Sequence, residues 1–319
     1  MSAALELRRV ENTPRWILAA TGVTATVGLL ALWPWQHGGG AAGVYLFFYQ
    51  GAALVTGLSS VGLLFSLQAL RGFSPGEPMR KAWFMMAASS ACHMVCGFIA
   101  QMLAIQSLAD PSAVGGVSGP ALLGELQRLG LVFGGPIPMV FLSVGLLFVL
   151  RVFRKSGLWE RLTRLDWSVL ALVGGFGAYR LGQAGVAILA GNPLGVPGWL
   201  NLASGPMLAL LVGEAFLILR SVVPMGRGLV AKCWAAFAAA ILLTTLGNVG
   251  MWVAGHGSLS APLTGPMWCL WFAASAAYAL GPTYQVAAAR RATMPAGGSF
   301  DPLSIAGLPA GGMREAAAR

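Results

Sequence analysis

From Val44 to Leu70 the chain runs 27 residues without one charged side chain. A run of that length exceeds the roughly 20 apolar residues needed to cross a bilayer as a helix. Similar runs recur along the chain, at about Trp16–Leu32, Ala82–Leu108, Leu129–Leu150, Trp167–Leu189, Trp199–Leu219, Cys233–Ala254 and Pro262–Tyr284. Only 9% of the 319 residues are charged and 57% are hydrophobic, whereas soluble domains carry about 25% charged residues. The polar surface of a water-soluble fold is missing. The expected fold class is an all-α integral membrane protein with eight transmembrane helices.

The net charge of +10 invites a nucleic-acid reading, but its distribution argues against one. Arg8, Arg9 and Arg15 precede the first span, Arg71, Arg80 and Lys81 follow the second, and Arg151, Arg154, Lys155, Arg161 and Arg164 follow the fourth. Arg220, Arg227 and Lys232 follow the sixth, and Arg290 and Arg291 the eighth. The alternate loops Gln36–Gly43, Gly191–Gly198 and Gly255–Ala261 carry no Lys, Arg, Asp or Glu, while the longer Ala109–Arg128 connection carries Asp110, Glu125 and Arg128. This alternation is the positive-inside pattern, and it places both termini in the cytoplasm of a bacterial-type inner membrane. The expected partners are the lipid bilayer and either other membrane subunits or further copies of the chain. Nucleic acid is not among them.

Three regions follow: a basic cytoplasmic N-terminus over 1–15, a transmembrane domain over 16–285, and an Ala/Gly/Pro-rich tail over 286–319 expected to lack its own core. Within the transmembrane domain a repeat emerges. Trp16, Trp83, Trp167 and Trp234 each open an odd-numbered span, 67, 84 and 67 residues apart. The even spans carry Ser60-Val-Gly-Leu-Leu-Phe65, Ser143-Val-Gly-Leu-Leu-Phe148 and Leu211-Val-Gly-Glu-Ala-Phe216. Val61 to Val212 and Trp16 to Trp167 are both offsets of 151 residues. The reading is four tandem helical hairpins in one orientation, at about 16–71, 82–151, 166–220 and 233–285, a device known in transporter folds. Gly135-Pro, Gly205-Pro-Met and Gly265-Pro-Met are expected at the outer starts of the even spans, where proline lacks no needed helix bond.

The repeat turns two charges into outliers. Glu214 stands where the other hairpins have Leu63 and Leu146, and Arg180 stands where they have Leu29, Cys96 and Gly247. An ionisable residue within a span is a functional-site hypothesis by default. At ~1.5 Å rise per residue Arg180 lies about 20 Å from the cytoplasmic end of its span and Glu214 about 9 Å. A structural ion pair between them is the plainer reading, but that depth difference strains it. Gln50, Gln183 and Asn248 fall at about the depth of Arg180, with Tyr179 beside it. Together they predict a polar layer that binds an anionic or polar solute, with Glu214 as a separate protonatable gate. The plainer reading of each amide is an interhelical hydrogen bond, worth about 1 kcal/mol. Gly174, Ala178 and Gly182 have the spacing that lets helices approach closely.

His93 is the one histidine inside a span, within Cys92-His93-Met94-Val95-Cys96. It is turned ~100° from Cys92 on a helix, so the plainer reading is a hydrogen-bonded core histidine rather than a metal ligand. His37 and His256 fall in outer loops and lack carboxylate company for a metal site. Four dispersed cysteines predict free thiols. No paired aspartates, no phosphate-binding glycine loop and no mid-span lysine are present, so the chain is expected not to be an enzyme, and neither a metal nor another cofactor is implied. The leading expectation is a multi-pass transporter or permease. The alternative is a membrane-anchor subunit of a respiratory or photosynthetic complex, in which quinone or single-ligand haem would become relevant.

Overall fold

The computed structural model describes residues 3–36, 42–109, 129–130, 132–158, 161–191, 196–255 and 260–293. Its long helices are α1 (Ala3–Gln36), α2 (Ala42–Arg71), α3 (Pro78–Ala109), α4 (Pro136–Lys155), α5 (Arg164–Leu189), α6 (Val196–Val222), α7 (Leu229–Gly255) and α8 (Ser260–Thr293). A short 3-10 turn, Val223–Met225, follows α6. His37, His256 and most of the connection from Asp110 to Arg128 lie outside the described residues.

Among the described residues six helices are long and apolar enough to cross a membrane: α1, α2, α3, α4, α6 and α7. The chain is a multi-pass helical membrane protein. α5 and α8 fall outside that group on composition. α8, which packs on α1, α2 and α7, is rich in Ala and interrupted by Pro266, Pro282, Ser, Thr and Tyr. α5 has only Asp166 and Gly177 buried and is diluted by Arg180, Gln183 and several glycines.

Local sequence explains several helix ends. Pro136 opens α4 immediately after Gly135, where its missing N–H would have been unsatisfied in any case. Thr163 and Asp166 form a reciprocal capping box at the start of α5. Gly157 and Gly226 take positive φ angles of 73° and 75° just past α4 and the 3-10 turn, a conformation that a Cβ would oppose. Four boundaries differ from the sequence expectation. Pro206 and Pro266 lie inside α6 and α8 rather than at their starts, since both helices begin earlier in the chain. α1 begins at Ala3 and α8 continues to Thr293, so helix extends beyond the expected span at both ends of the chain.

The helices pack as a closed ring, α2–α3–α4–α6–α7–α8, with α8 returning to α2. α1 lies outside the ring against α2 and α8, and α5 lies outside it against α6. The ring has a filled interior. Trp83 and Trp234 are fully buried with ring centroids 5.6 Å apart. Phe237 lies 5.7 Å from Trp234 and 6.3 Å from Tyr278, and Tyr278 stacks on His93 at 5.8 Å. The largest apolar cluster gathers around Trp83, Phe153, Trp234 and Met225, the half of the bundle next to the basic segments. Phe47, Phe272 and Leu32 form a smaller cluster in the other half. There the bare backbone of Gly51 lies under the Phe272 ring, with no room for a Cβ.

Candidate functional site

Glu214 is the buried carboxyl of the bundle interior, only 3% exposed on α6. Ser143 of α4 donates its hydroxyl hydrogen to Oε1 at 2.8 Å. Oε2 is equally buried and has no hydrogen-bond partner among the described residues. A buried polar atom without a partner is costly, so its environment matters. Glu214 forms part of the wall of a crevice of about 440 Å³ between α4, α5 and α6. The remaining lining is apolar: Leu147 and Leu150 from α4, Leu170, Val173 and Leu181 from α5, and Leu210 and Leu217 from α6 among others. The crevice exists because α5 packs on α6 and makes no extensive contact with α4. Gly174 of α5 and Gly213 of α6 also line it.

Arg180 does not reach this carboxylate. It donates to Oε1 of Gln183 at 3.0 Å, and Gln183 in turn donates to the Tyr179 hydroxyl at 2.8 Å. The three residues form a polar chain along α5, with Tyr179 54% exposed. The aliphatic part of Arg180 lies against Gly205, where any Cβ would collide with it. Of the five residues predicted for the solute layer, the structure therefore joins Tyr179, Arg180 and Gln183. Gln50 and Asn248 are half-buried on α2 and α7, helices that pack elsewhere in the ring while α5 packs on α6. Equal depth on different helices did not translate into convergence. Depth fixes only one of three coordinates.

The close approach of α5 to α6 also departs from the predicted face. Added Cβ atoms at Gly174 and Gly182 would meet nothing within 4 Å. Gly177 makes the tight contact instead, where a Cβ would sit 2.8 Å from that of Ala209. The ion pair that joins these two helices is Asp166–Arg220 at their basic ends. Arg220 also donates to the Arg161 carbonyl at 3.0 Å. Asp166 accepts from the backbone N–H and hydroxyl of Thr163 at 2.5 and 2.6 Å. A single carboxylate thus caps α5 and pins it to α6.

His93 is half-buried on α3 and stacked on Tyr278. Cys96 donates to the Gly130 carbonyl at 3.4 Å. Among the described residues no three His, Cys, Asp or Glu side chains gather in a way that would hold a metal ion. Two polar links went unread in the sequence. Gln101 of α3 donates to Thr56 of α2 at 2.6 Å, and Ser89 of α3 donates to the Pro138 carbonyl of α4 at 3.0 Å. Ser143 stood in plain view as the first residue of a repeated hexapeptide. Nothing in that hexapeptide marks a hydroxyl that reaches to another helix.

The class these observations define is an integral, multi-pass, α-helical membrane protein with a buried carboxyl in an apolar crevice. No known protein family, curated protein or solved structure matches the chain.

Proposed function

We propose that this protein is a permease-like membrane carrier in which Glu214 is the protonatable group that couples binding to proton movement. The observation that carries the reading is the half-satisfied Glu214 carboxyl, one oxygen held by Ser143 and the other facing no protein donor. A carboxyl so placed takes up either a proton or an external donor, and exchange between the two is the elementary step of a coupled carrier. The filled ring interior supports the crevice as the place of binding, because Trp83, Trp234, Phe237 and Tyr278 occupy the bundle centre. Eight crossings as four tandem hairpins remain part of the proposal. Each expected pair, α1–α2, α3–α4, α5–α6 and α7–α8, is in contact, which supports it. The polar chain Tyr179–Arg180–Gln183 is a secondary, anion-attracting feature on the same helix as the crevice wall.

Reconstituted vesicles with an internal pH dye test this reading. Panels of cationic, anionic and neutral solutes are offered under an imposed pH gradient. At least one class is expected to move protons with the native chain and to lose that flux in Glu214→Gln. Equal flux in the variant, or none with any class in the native chain, overturns the carrier reading. In the same assay Arg180→Ala is expected to reduce flux selectively for anions if the α5 chain takes part.

A second reading is favoured by the apolar lining of the crevice itself. A quinone-reactive anchor subunit would present such a crevice to the lipid phase and use Glu214 to accept a hydrogen bond from a quinol hydroxyl. Quinone in an organic extract of the purified protein, together with co-purifying subunits, separates it from the first.

A further inference from the structure

We infer that the α4–α5–α6 crevice takes a lipophilic cation, an apolar body with a protonated amine or other monocationic head, which exchanges with a proton on Glu214. This rests on the carrier reading and names its substrate class, and it replaces the anionic solute expected from the sequence.

Three features converge on that ligand. The lining is apolar apart from the Glu214 carboxyl, so a strongly hydrated solute would lose its water without replacement contacts. An apolar body of matching size loses nothing. The carboxyl is 3% exposed, and its Oε2 has no partner among the described residues, so it can accept from or pair with a ligand. Among the described residues no cationic side chain lines the crevice. An ionised carboxylate in such surroundings interacts strongly with a positive charge, because the low local dielectric does not screen it.

The charged and titratable groups on the packed helices are engaged or placed elsewhere. On α6 Arg220 is paired with Asp166 of α5, and on α5 Arg180 is bonded to Gln183. Arg164 of α5 is exposed at the helix start, and Tyr179 takes its bond from Gln183. On α4 Arg151 lies over the Phe148 ring and is exposed, as are Arg154 and Lys155. On α7, packed against α6 away from the crevice lining, Lys232 is exposed and Cys233 is buried. A cation inside the crevice therefore has Glu214 as its partner.

The fold contains an internal comparison. Under the 151-residue offset α5 corresponds to α1 and α6 to α2, and in the order of the proposed hairpins α4 corresponds to α8. The α1–α8 seam is closed, with Leu29 and Leu32 against Gly265, whereas the α4–α5 seam is the crevice. The one seam left open is the one with a carboxyl behind it, where the corresponding position of α2 is Leu63. The exchange balances simply: the protonated carboxyl and the cation give a carboxylate–cation pair, and one proton leaves to the aqueous phase.

The test is tetraphenylphosphonium binding to the full chain in lipid nanodiscs, with proton release followed in weakly buffered solution. Saturable binding with one proton released per cation is expected. Glu214→Gln is expected to bind about 10–100-fold more weakly, the loss of a charged partner, and to release none. A Cβ added at Gly174, on the crevice wall, meets nothing within 4 Å, and Gly174→Leu is expected to weaken binding while leaving the thermal transition in place. Equal binding of the anion tetraphenylborate, undiminished binding in Glu214→Gln, or Glu214-dependent binding of decylubiquinol alone overturns the proposal. Proton-coupled flux of another solute without tetraphenylphosphonium binding overturns the cation and leaves the carrier standing. Binding with proton release but no flux under any gradient upholds the cation and overturns the carrier.

Discussion

At the scale of single residues the decisive contact is Ser143 to Glu214. Removing one member of a buried hydrogen-bonded pair costs more than replacing both, because the survivor keeps its desolvation penalty without its partner. Ser143→Ala leaves both oxygens of Glu214 without a protein donor, and is expected to lower stability by about 1–3 kcal/mol. The same change in a Glu214→Leu background is expected to cost much less, since Leu is what the chain carries at Leu63 and Leu146. Unfolding in mixed detergent, run as a double-mutant cycle, measures the difference. A Ser143→Ala cost that is the same in both backgrounds would show that the hydroxyl serves only packing. Glu214 was legible in the sequence because a charge inside an apolar run stands out against the two related runs, which carry Leu63 and Leu146. Its partner was not, since nothing in a serine distinguishes one that bonds its own helix, as Ser60 bonds the Thr56 carbonyl, from one that reaches across to a neighbour. The same limit applies to Gln50 and Asn248, whose depth was readable from the sequence while the direction around the helix was not.

At the scale of the element α5 is the unusual member. It touches the ring along one seam, holding to α6 through Gly177–Ala209 in the middle and through Asp166–Arg220 at the basic end. Both attachments depend on small or charged groups rather than on interdigitated apolar side chains. In lipid, helix association draws on close packing and polar links, since apolar burial gives little net drive between spans. Gly177→Leu is therefore expected to separate α5 from α6 and enlarge the crevice, seen as faster proteolysis of the α4–α5 connection. Asp166→Asn is expected to loosen only the basic end, because the capping oxygen survives while the charge is lost. If Gly177→Leu leaves protease sensitivity unchanged, α5 is held by contacts other than these. The helix itself was easily read from its apolar run. The seam was not, because Gly174, Ala178 and Gly182 satisfied the same spacing rule as the true contact and only the position of α6 decides between them.

At the scale of the whole molecule, composition and run length made the membrane class plain, yet α5 and α8 are too weakly apolar to declare themselves as crossings. Two ion pairs supply the missing argument. Asp166 at the start of α5 meets Arg220 at the end of α6, so the chain must travel out along one helix and back along the other. Arg291 near the end of α8 bonds Glu11 near the start of α1, so the described chain ends on the face where it began. α5 has 26 residues and α8 has 34, about 39 and 51 Å at the helical rise, ample for a hydrocarbon core of about 30 Å. The proposed topology counts both helices among eight crossings and puts the basic loops on one face, which the charge rule assigns to the cytoplasm. Single cysteines at Ala190 and Ser260, in a background with the four native cysteines replaced by serine, are expected to react with an impermeant maleimide from outside the cell. Cysteines at Arg227 and Ala289 are expected to react only after the membrane is opened. Labelling of the Ala190 and Arg227 positions from the same side would remove α5 or α6 as a crossing, and with it the proposed place of the α4–α5–α6 crevice within the membrane.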